Sequence, residues 1–339
     1  MARPKNRDEY RQQLADMFTG ILAEKGLEWK KEWRDLGGFA QQNGITHAHY
    51  RGCNALMLSL ISMMKGYNDP RWLTMRQIAD ADGKYHPKQK WHLKTGSKAS
   101  YVEYWYPYDT KNKVAVTWDE YRTALEDGRD ADEFRLSTRY TPVFNADEIE
   151  GIPPMEAFRG PAKDPEEIIH KLSENMGVPI RFDGGSQAFY SPQFDVIHLP
   201  PAEAFESEYS LNATALHELA HSTGHPSRLC RSITNAYANE NYAYEELVAE
   251  ISSCFMGAYL NAEPSQKHME NHKAYVQAWI QGIREKPEAL VRAIRDAQNA
   301  AGYMEWKAEL IPEQEYLKRK GKTVEVPIPK APGREDVRC

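Results

Sequence analysis

The chain has 339 residues, enough for two ordinary domains, and its 41% apolar and 27% charged residues are typical of a globular protein. No run of about 18 apolar residues could span a bilayer, and no apolar signal-peptide core follows the basic N-terminus, so we expect a cytoplasmic protein without a membrane partner. The net charge of −6, taken over the whole chain, argues against nucleic-acid binding.

The charge is unevenly distributed along the chain. Residues 1–110 contain 17 Lys or Arg against 12 Asp or Glu, a balance of +5, whereas the remainder carries −11. A basic N-terminal part joined to an acidic C-terminal part indicates two different functions.

The N-terminal part has the pattern of a small α+β domain, which we assign to residues 1–125. Apolar residues from Tyr10 to Leu22 recur at helical spacing. A second, mostly buried helix is predicted from Asn54 to Met64, closed by Gly66, and a third from Trp72 to Ala79. The aromatic segment Tyr101 to Tyr108 is predicted as a strand, with residues 114–118 as its hairpin partner.

Residues 126–160 are polar and rich in turn signals, which predicts a linker, although Thr141 to Phe144 also fits a short strand. Residues 161–310 then form a second domain, predicted to be mostly helical with a short sheet. The last segment, 311–339, is charged and rich in proline, which predicts a loose tail. The second domain is expected to contain a helix at 165–176, short strands between 181 and 199, and long helices near 207–224, 243–260, 267–284 and 287–303.

The strongest motif is H-E-x-x-H, formed by His217, Glu218 and His221. Residues four apart lie one above the other on a helix, so both imidazoles can reach one ion at about 2.0–2.1 Å. Glu218 lies beside them, where it can accept a proton from the attacking water. The motif also occurs by chance, so its surroundings must decide whether it binds metal.

A second segment supports a metal site, because glutamates interrupt an apolar helix from Tyr244 to Ile251. Buried acidic side chains are costly unless they are paired or bind metal. Glu246 and Glu250 share one face, and E-x-x-x-[DE] resembles the gluzincin pattern. That resemblance implies one Zn²⁺ ion with Glu246 as third ligand, and Glu250 as the group that holds a ligand histidine from outside. Glu245 is predicted to be an exposed helix charge.

Two nearby segments invite further hypotheses. His225 lies eight residues after His217, which is two short of the metzincin spacing, so we predict a loop residue rather than a ligand. The segment 194–199, just before the zinc helix, is predicted as an edge strand on which an extended peptide could lie.

Several runs together resemble ArdC-type antirestriction proteins over about 300 residues in the same order. They are Tyr190 to Pro200, His217 to Arg231 and Tyr242 to Glu250, with Tyr50 to Asn54, Pro70 to Gln77 and Gly83 to Lys98 in the N-terminal part. The resemblance implies an N-terminal domain that binds single-stranded DNA and a C-terminal zincin domain, gluzincin-like, of the zinc metallopeptidase type. Plasmid TraC-type primases are relatives, so it also implies a bacterial protein that is transferred to the recipient cell with conjugating DNA.

The residues of the N-terminal part are consistent with single-stranded DNA as a partner. Between Gly44 and Ser100 there are nine Lys or Arg against three acids, and ten aromatic residues fall between Gly44 and Tyr108. Cations that follow phosphates and rings that stack on unpaired bases are typical of such sites. A core of aromatic residues with a solvated basic face would give the same pattern. The candidate DNA-binding residues are Tyr50, Arg51, Asn54, Trp72, Arg76, Lys84, Lys88, Lys90 and Lys98.

Three functional interpretations remain open. The first is an antirestriction protein that binds single-stranded DNA and uses its zinc site to cleave a host protein, with Tyr242, Tyr244 or His225 as candidate oxyanion donors. The second is a DNA-coating or primase-accessory protein with a structural zinc. The third is a protease that digests proteins bound to DNA.

Overall fold

The computed structural model of the protein describes residues 2–25, 41–85, 91–155, 164–231, 240–260 and 273–324. Two compact units are present, and neither is continuous in sequence. Unit 1 comprises Met1–Arg11, Asn43–His47 and Arg71–Pro153. Unit 2 comprises Gln12–Gln42, Ala48–Pro70 and Pro154–Cys339.

Most helices agree with the predicted ones, but the helix predicted from Trp72 to Ala79 begins at Met75, because Arg71–Leu73 forms a strand. The second helix, predicted over 54–64, spans Gly52–Lys65 and ends at Gly66, whose φ of 68° is the left-handed cap that glycine favours. In chain order the helices are α1 (Arg7–Lys25), α2 (Gly52–Lys65), α3 (Met75–Tyr85), α4 (Trp118–Glu126), α5 (Pro165–Met176), α6 (Glu208–Ser222), α7 (Glu240–Leu260), α8 (Lys273–Glu285), α9 (Pro287–Lys307) and α10 (Glu313–Val324).

Unit 1 is built on an antiparallel sheet. Its strands are β1 (Gln42–Asn43), β2 (Arg71–Leu73), β4 (Ser100–Asp109), β5 (Val114–Ala115) and β6 (Phe134–Asn145), in the order β1-β2-β6-β4-β5, and β3 (His92–Leu93) pairs separately with β7 (Ile149–Glu150). β4 pairs with β5 as predicted, but its longer partner is β6, along ten residues. A core cluster packs beside this sheet and includes Leu73, Ile78, Trp91, Phe144 and Ile149.

The predicted linker differs from the structure. Residues 126–160 contain β6, which pairs with β2 on one side and β4 on the other. Val143, Phe144 and Asn145 in this strand are buried. Arg135 and Arg139 of this strand are exposed, whereas Asn145 is buried. The central strand of the sheet therefore lies in the segment assigned to a linker and extends well beyond residues 141–144.

Unit 2 is mostly helical, with one small sheet. Its strands are β8 (Ile180–Arg181), β9 (Phe189–Ser191) and β10 (Val196–His198), in the order β8-β10-β9. α6 and α9 both pack against α7, and α2 also packs against α9. Unit 2 thus includes α2, which the sequence had assigned to the N-terminal domain.

The predicted loose tail begins with a helix. α10 packs against α9, where the rings of Trp306 and Tyr316 stack with centroids 4.9 Å apart and Arg319 pairs with Glu305. Tyr316 is buried, which explains why this charged segment is helical. Residues 325–339 lie outside the described part of the chain.

The overall fold class agrees with the α+β prediction. Among the helices of the described ranges, none combines the length and apolar character needed to cross a lipid bilayer.

Candidate functional site

Helix α6 places the H-E-x-x-H motif in the interior of unit 2. The helix starts at Ser207, whose hydroxyl accepts from the Ser210 amide while the Ser210 hydroxyl accepts from the Ser207 amide. Residues 215–220 are all buried, so this segment contacts neighbouring elements all round. His217 and His221, one turn apart, therefore point into the protein rather than into solvent.

Two nitrogen atoms and two oxygen atoms converge at the motif. The Nε2 atoms of His217 and His221 are 3.0 Å apart. Each of them lies 3.5 Å from a different carboxylate oxygen of Glu246, which α7 contributes. His217, His221 and Glu246 are all buried, and within the described residues they are the group whose geometry could hold a metal ion.

The donor set fits a divalent cation. Bonds of about 2.0–2.1 Å at tetrahedral angles place neighbouring ligand atoms roughly 3.4 Å apart. The observed separations of 3.0, 3.5 and 3.5 Å agree with that spacing. Two imidazoles and one carboxylate are also a set that suits zinc in catalytic sites. Because Glu246 is buried, its negative charge is costly unless a cation lies beside it.

A second ring of carboxylates faces the far side of each imidazole. Glu250 Oε1 lies 3.9 Å from Nδ1 of His217, and Glu245 Oε1 lies 3.7 Å from Nδ1 of His221. The sequence assigned such an outer role to Glu250 alone. The prediction that Glu245 is an exposed charge was wrong, since Glu245 is only 2% exposed.

Arg231 explains how Glu245 can be buried. Its guanidinium donates to both carboxylate oxygens, at 2.6 and 3.2 Å, and also to the Thr223 hydroxyl and the Ala220 carbonyl. Burial alone raises the pKa of Glu245, but the charges of Arg231 and His221 lower it below its usual range. Helical periodicity gives no indication that a half-buried arginine 14 residues upstream will pair with Glu245.

Replacing Glu245 by glutamine is expected to weaken divalent-metal affinity about 10–100-fold, because the group that orients His221 loses its charge. The measurement is a competition titration with a chromogenic chelator. Glu208→Gln, an exposed change in the first turn of α6, is the matched control. Unchanged affinity in Glu245→Gln would show that Arg231 and Glu245 only link α6 to α7.

The negative charges around His221 also predict how metal binding depends on pH. Burial by itself lowers the pKa of His221, but Glu246, Glu245 and Glu218 outweigh it and raise the pKa to about 10. The imidazole therefore carries a proton at pH 7.5, and a metal can bind only after displacing it. We expect metal uptake at pH 7.5 to release a proton and to strengthen as the pH rises toward 10.

Isothermal titration calorimetry in buffers of different ionisation enthalpy measures that release. An observed binding enthalpy that does not vary with the buffer would contradict the prediction.

Glu218 and the candidate oxyanion donors differ in their surroundings. Glu218 is 7% exposed and lies on α6 between the two histidines. His225 is in the turn after α6, where Nδ1 shares a hydrogen bond of 2.7 Å with the Ser227 hydroxyl. The Tyr244 hydroxyl donates to Asp296 at 2.6 Å, and the Tyr242 side chain lies outside the described residues.

The predicted edge strand was wrong. β10 is the middle strand of its sheet, where Ile197 pairs with Ile180 of β8 on one side and Tyr190 of β9 on the other. Because both of its edges are already paired, an extended peptide cannot add to β10.

The candidate DNA-binding residues are divided between the two units. Tyr50, Arg51 and Asn54 belong to unit 2, at the start of α2, and Arg51 is exposed. Arg76 and Lys98 are exposed in unit 1, and Arg76 pairs with Asp80 at 3.3 Å.

The other four candidates are a buried tryptophan and three lysines. Trp72 is fully buried in β2, so its ring cannot stack on a base, and its assignment as a DNA-binding residue was wrong. The side chain of Lys84 and the whole of Lys88 and Lys90 lie outside the described residues.

Family models match both parts of the chain. Residues 8–144 match the N-terminal domain of anti-restriction factor ArdC, and residues 166–296 match a zincin-like metallopeptidase domain. Both models include the elements described above, since the first ends within β6 and the second runs from α5 into α9.

Curated relatives have the same arrangement. Two DNA primases TraC of Escherichia coli are 33% and 32% identical, over 87% and 85% of this chain, and the chain spans 27% and 20% of their lengths. An uncharacterized protein y4eC of Sinorhizobium fredii is 30% identical, over 89% of this chain and 93% of its own length.

Two solved structures of the antirestriction protein ArdC from plasmid R388 are also similar, at 28% identity. The metal-free structure has a TM-score of 0.67 and covers 89% of this chain and 98% of its own. The Mn(II)-bound structure has a TM-score of 0.66, with 88% and 97% covered. With both domain models in order and a full-length likeness to ArdC, this chain belongs to the ArdC-type antirestriction family.

Proposed function

We propose that this protein protects incoming plasmid DNA from host restriction, by binding it as a single strand and by a metal-dependent peptidase activity on a host protein. It would act in the bacterial cytoplasm and enter the recipient cell with conjugating DNA. The observation that carries the peptidase half is the buried convergence of His217, His221 and Glu246 beside Glu218. Family membership supports the antirestriction role.

The metal half of the proposal assigns each residue a task. His217, His221 and Glu246 would hold one divalent ion, for which we favour Zn²⁺ from the ligand types. Glu250 and Glu245 would fix the orientation of the two imidazoles through their Nδ1 atoms. When bound, the ion supplies Lewis-acid polarisation of the scissile carbonyl.

Proton transfer is the task of Glu218. Its carboxylate would accept a proton from the attacking water and pass it to the leaving amine, which needs one group acting first as base and then as acid. The low exposure of Glu218 keeps competing water away from the carboxylate. The Tyr244 hydroxyl is engaged by Asp296, so an oxyanion donor role for it requires that this bond be exchanged.

The DNA half rests on the basic, aromatic composition of residues 44–108 and on the match to the ArdC N-terminal domain. It predicts tight binding of single-stranded DNA that weakens with salt, because each neutralised phosphate releases a counterion. Duplex DNA hides its base faces and should bind much more weakly.

Fluorescence anisotropy with labelled single-stranded and duplex DNA at several salt concentrations tests this half. Equal affinity for both, or no binding, would contradict it and leave the metal site as the sole basis for function. Protection assays then separate the two routes. If a variant with an inactive peptidase site protects DNA as well as the wild type does, coating of the strand accounts for protection.

A further inference from the structure

One face of β4 and β6 carries a row of tyrosines interleaved with arginines. Alternate residues of a strand point to the same side, so Tyr104, Tyr106 and Tyr108 share a face. The pairing register places Arg139 opposite Tyr104 and Arg135 opposite Tyr108 on that same face. These three tyrosines and two arginines are not among the DNA-binding residues predicted from the sequence.

The arginines lie over the rings. The guanidinium carbon of Arg139 is 4.5 Å from the Tyr104 ring centroid and 5.9 Å from that of Tyr106, and the carbon of Arg135 is 4.7 Å from the Tyr108 centroid. Side chains two apart on a strand are separated by roughly 7 Å along it. A gap of that size admits one flat group, and the Arg139 guanidinium lies within about 6 Å of both ring centroids.

The two faces of this sheet differ. On the opposite face Tyr140 is buried, its ring packs against that of Tyr10 with centroids 5.3 Å apart, and its hydroxyl donates to Glu103. On the tyrosine–arginine face, Tyr104 is 43% exposed and both arginines are exposed.

The exposed face also has an unbalanced charge. Throughout the described ranges, no carboxylate oxygen lies within 4.0 Å of the Arg135 or Arg139 guanidinium. By contrast, Arg122 and Arg129 in the same unit each pair with acids. Cations without acidic partners, beside exposed rings, suit a ligand that brings both negative charge and flat surfaces.

We propose that this face, defined by Tyr104, Tyr106, Tyr108, Arg135 and Arg139, is where single-stranded DNA binds. Unpaired bases stack on the tyrosine rings and guanidinium planes, and the arginines contact phosphates. The inference rests on the proposed DNA-binding function and places it on the sheet of unit 1 rather than on Tyr50, Arg51 and Asn54. Duplex DNA fits poorly, because its bases are already stacked on each other.

The rings are tested with the double variant Tyr104→Ala/Tyr106→Ala in the full-length protein, using labelled oligo(dT) as the probe. Each lost base stack is expected to weaken binding about fivefold or more. Tyr104→Phe/Tyr106→Phe keeps the rings and should bind as the wild type does. Phe194→Ala, which removes an exposed ring from unit 2, is the matched control.

The arginines are tested through salt dependence. Removing both, as Arg135→Ala/Arg139→Ala, should reduce the slope of log Kobs against log salt by about 1.4, since each phosphate contact on a single strand contributes about 0.7. Arg122→Ala, which removes an exposed arginine already paired with Asp119, should leave the slope unchanged.

Ultraviolet crosslinking of wild-type protein to oligo(dT), with the crosslinked peptide identified by mass spectrometry, needs no variant. Crosslinks within residues 100–109 are expected. If both alanine variants bind oligo(dT) as tightly as the wild type does, or if crosslinks are confined to residues 50–54, this placement is overturned. The proposed DNA-binding function would then still stand. If the wild type does not bind oligo(dT), both fail.

Discussion

Replacing Glu218 by glutamine is expected to lower peptide-bond hydrolysis by about 10²- to 10⁴-fold while the protein keeps its metal. Glutamine has almost the same shape as glutamate but cannot accept a proton from water. The converging atoms belong to His217, His221 and Glu246, so the change leaves the ligand set complete. The loss should therefore appear in turnover and not in metal content.

The measurement combines hydrolysis of a quenched peptide or a DNA-bound protein, with and without single-stranded DNA, and metal analysis of the same samples. Glu208→Gln, exposed on the first turn of the same helix, should retain full activity. A Glu218→Gln protein that hydrolyses at the wild-type rate would remove Glu218 from the mechanism. Stimulation by DNA would favour a protease that acts on proteins bound to the same strand.

Replacing Trp72 by alanine is expected to destabilise unit 1 by about 3–5 kcal/mol, the range for deleting a large buried aromatic side chain. Trp72 is 0% exposed in β2, pairs with Asn145 of β6, and accepts a hydrogen bond from the Gly44 amide through its carbonyl. The cavity lies beside the central strand, so neighbouring side chains have little freedom to fill it.

Urea unfolding followed by fluorescence and circular dichroism measures this effect. Phe194→Ala, at a residue 71% exposed, should change stability by less than about 0.5 kcal/mol. At urea concentrations where the Trp72→Ala protein is still folded, its affinity for oligo(dT) should equal that of the wild type. A loss of affinity without a loss of stability would instead return Trp72 to the DNA interface.

The sequence was most informative where chemistry depends on local spacing. His217 and His221 are one helical turn apart in any helix, so their convergence follows from the sequence alone. Glu246 and Glu250 could be selected because acids in an apolar helix need a partner. Glu245 could not, because the group that neutralises it, Arg231, comes from a turn whose position depends on tertiary packing.

In the N-terminal part, by contrast, the sequence does not distinguish buried from exposed aromatic residues. An aromatic residue in a basic segment has the same sequence signature whether it is buried, like Trp72, or exposed, like Tyr104. Only the register of β4 against β6 shows which rings share a face with arginines. Most of β6 was not predicted either, because this strand is identified by its pairing with β2 and β4 rather than by its composition.

The chain passes back and forth between the two units, which limits how they can be separated. Unit 1 takes its residues from three separate stretches, with Gln12–Gln42 and Ala48–Pro70 of unit 2 between them. No single cut or recombination point can therefore separate a complete unit 1 from a complete unit 2. A fragment ending at residue 125 would also lack β6. Both units therefore stay intact only when they are transferred as one block, consistent with a match that runs through 306 residues of a much longer primase.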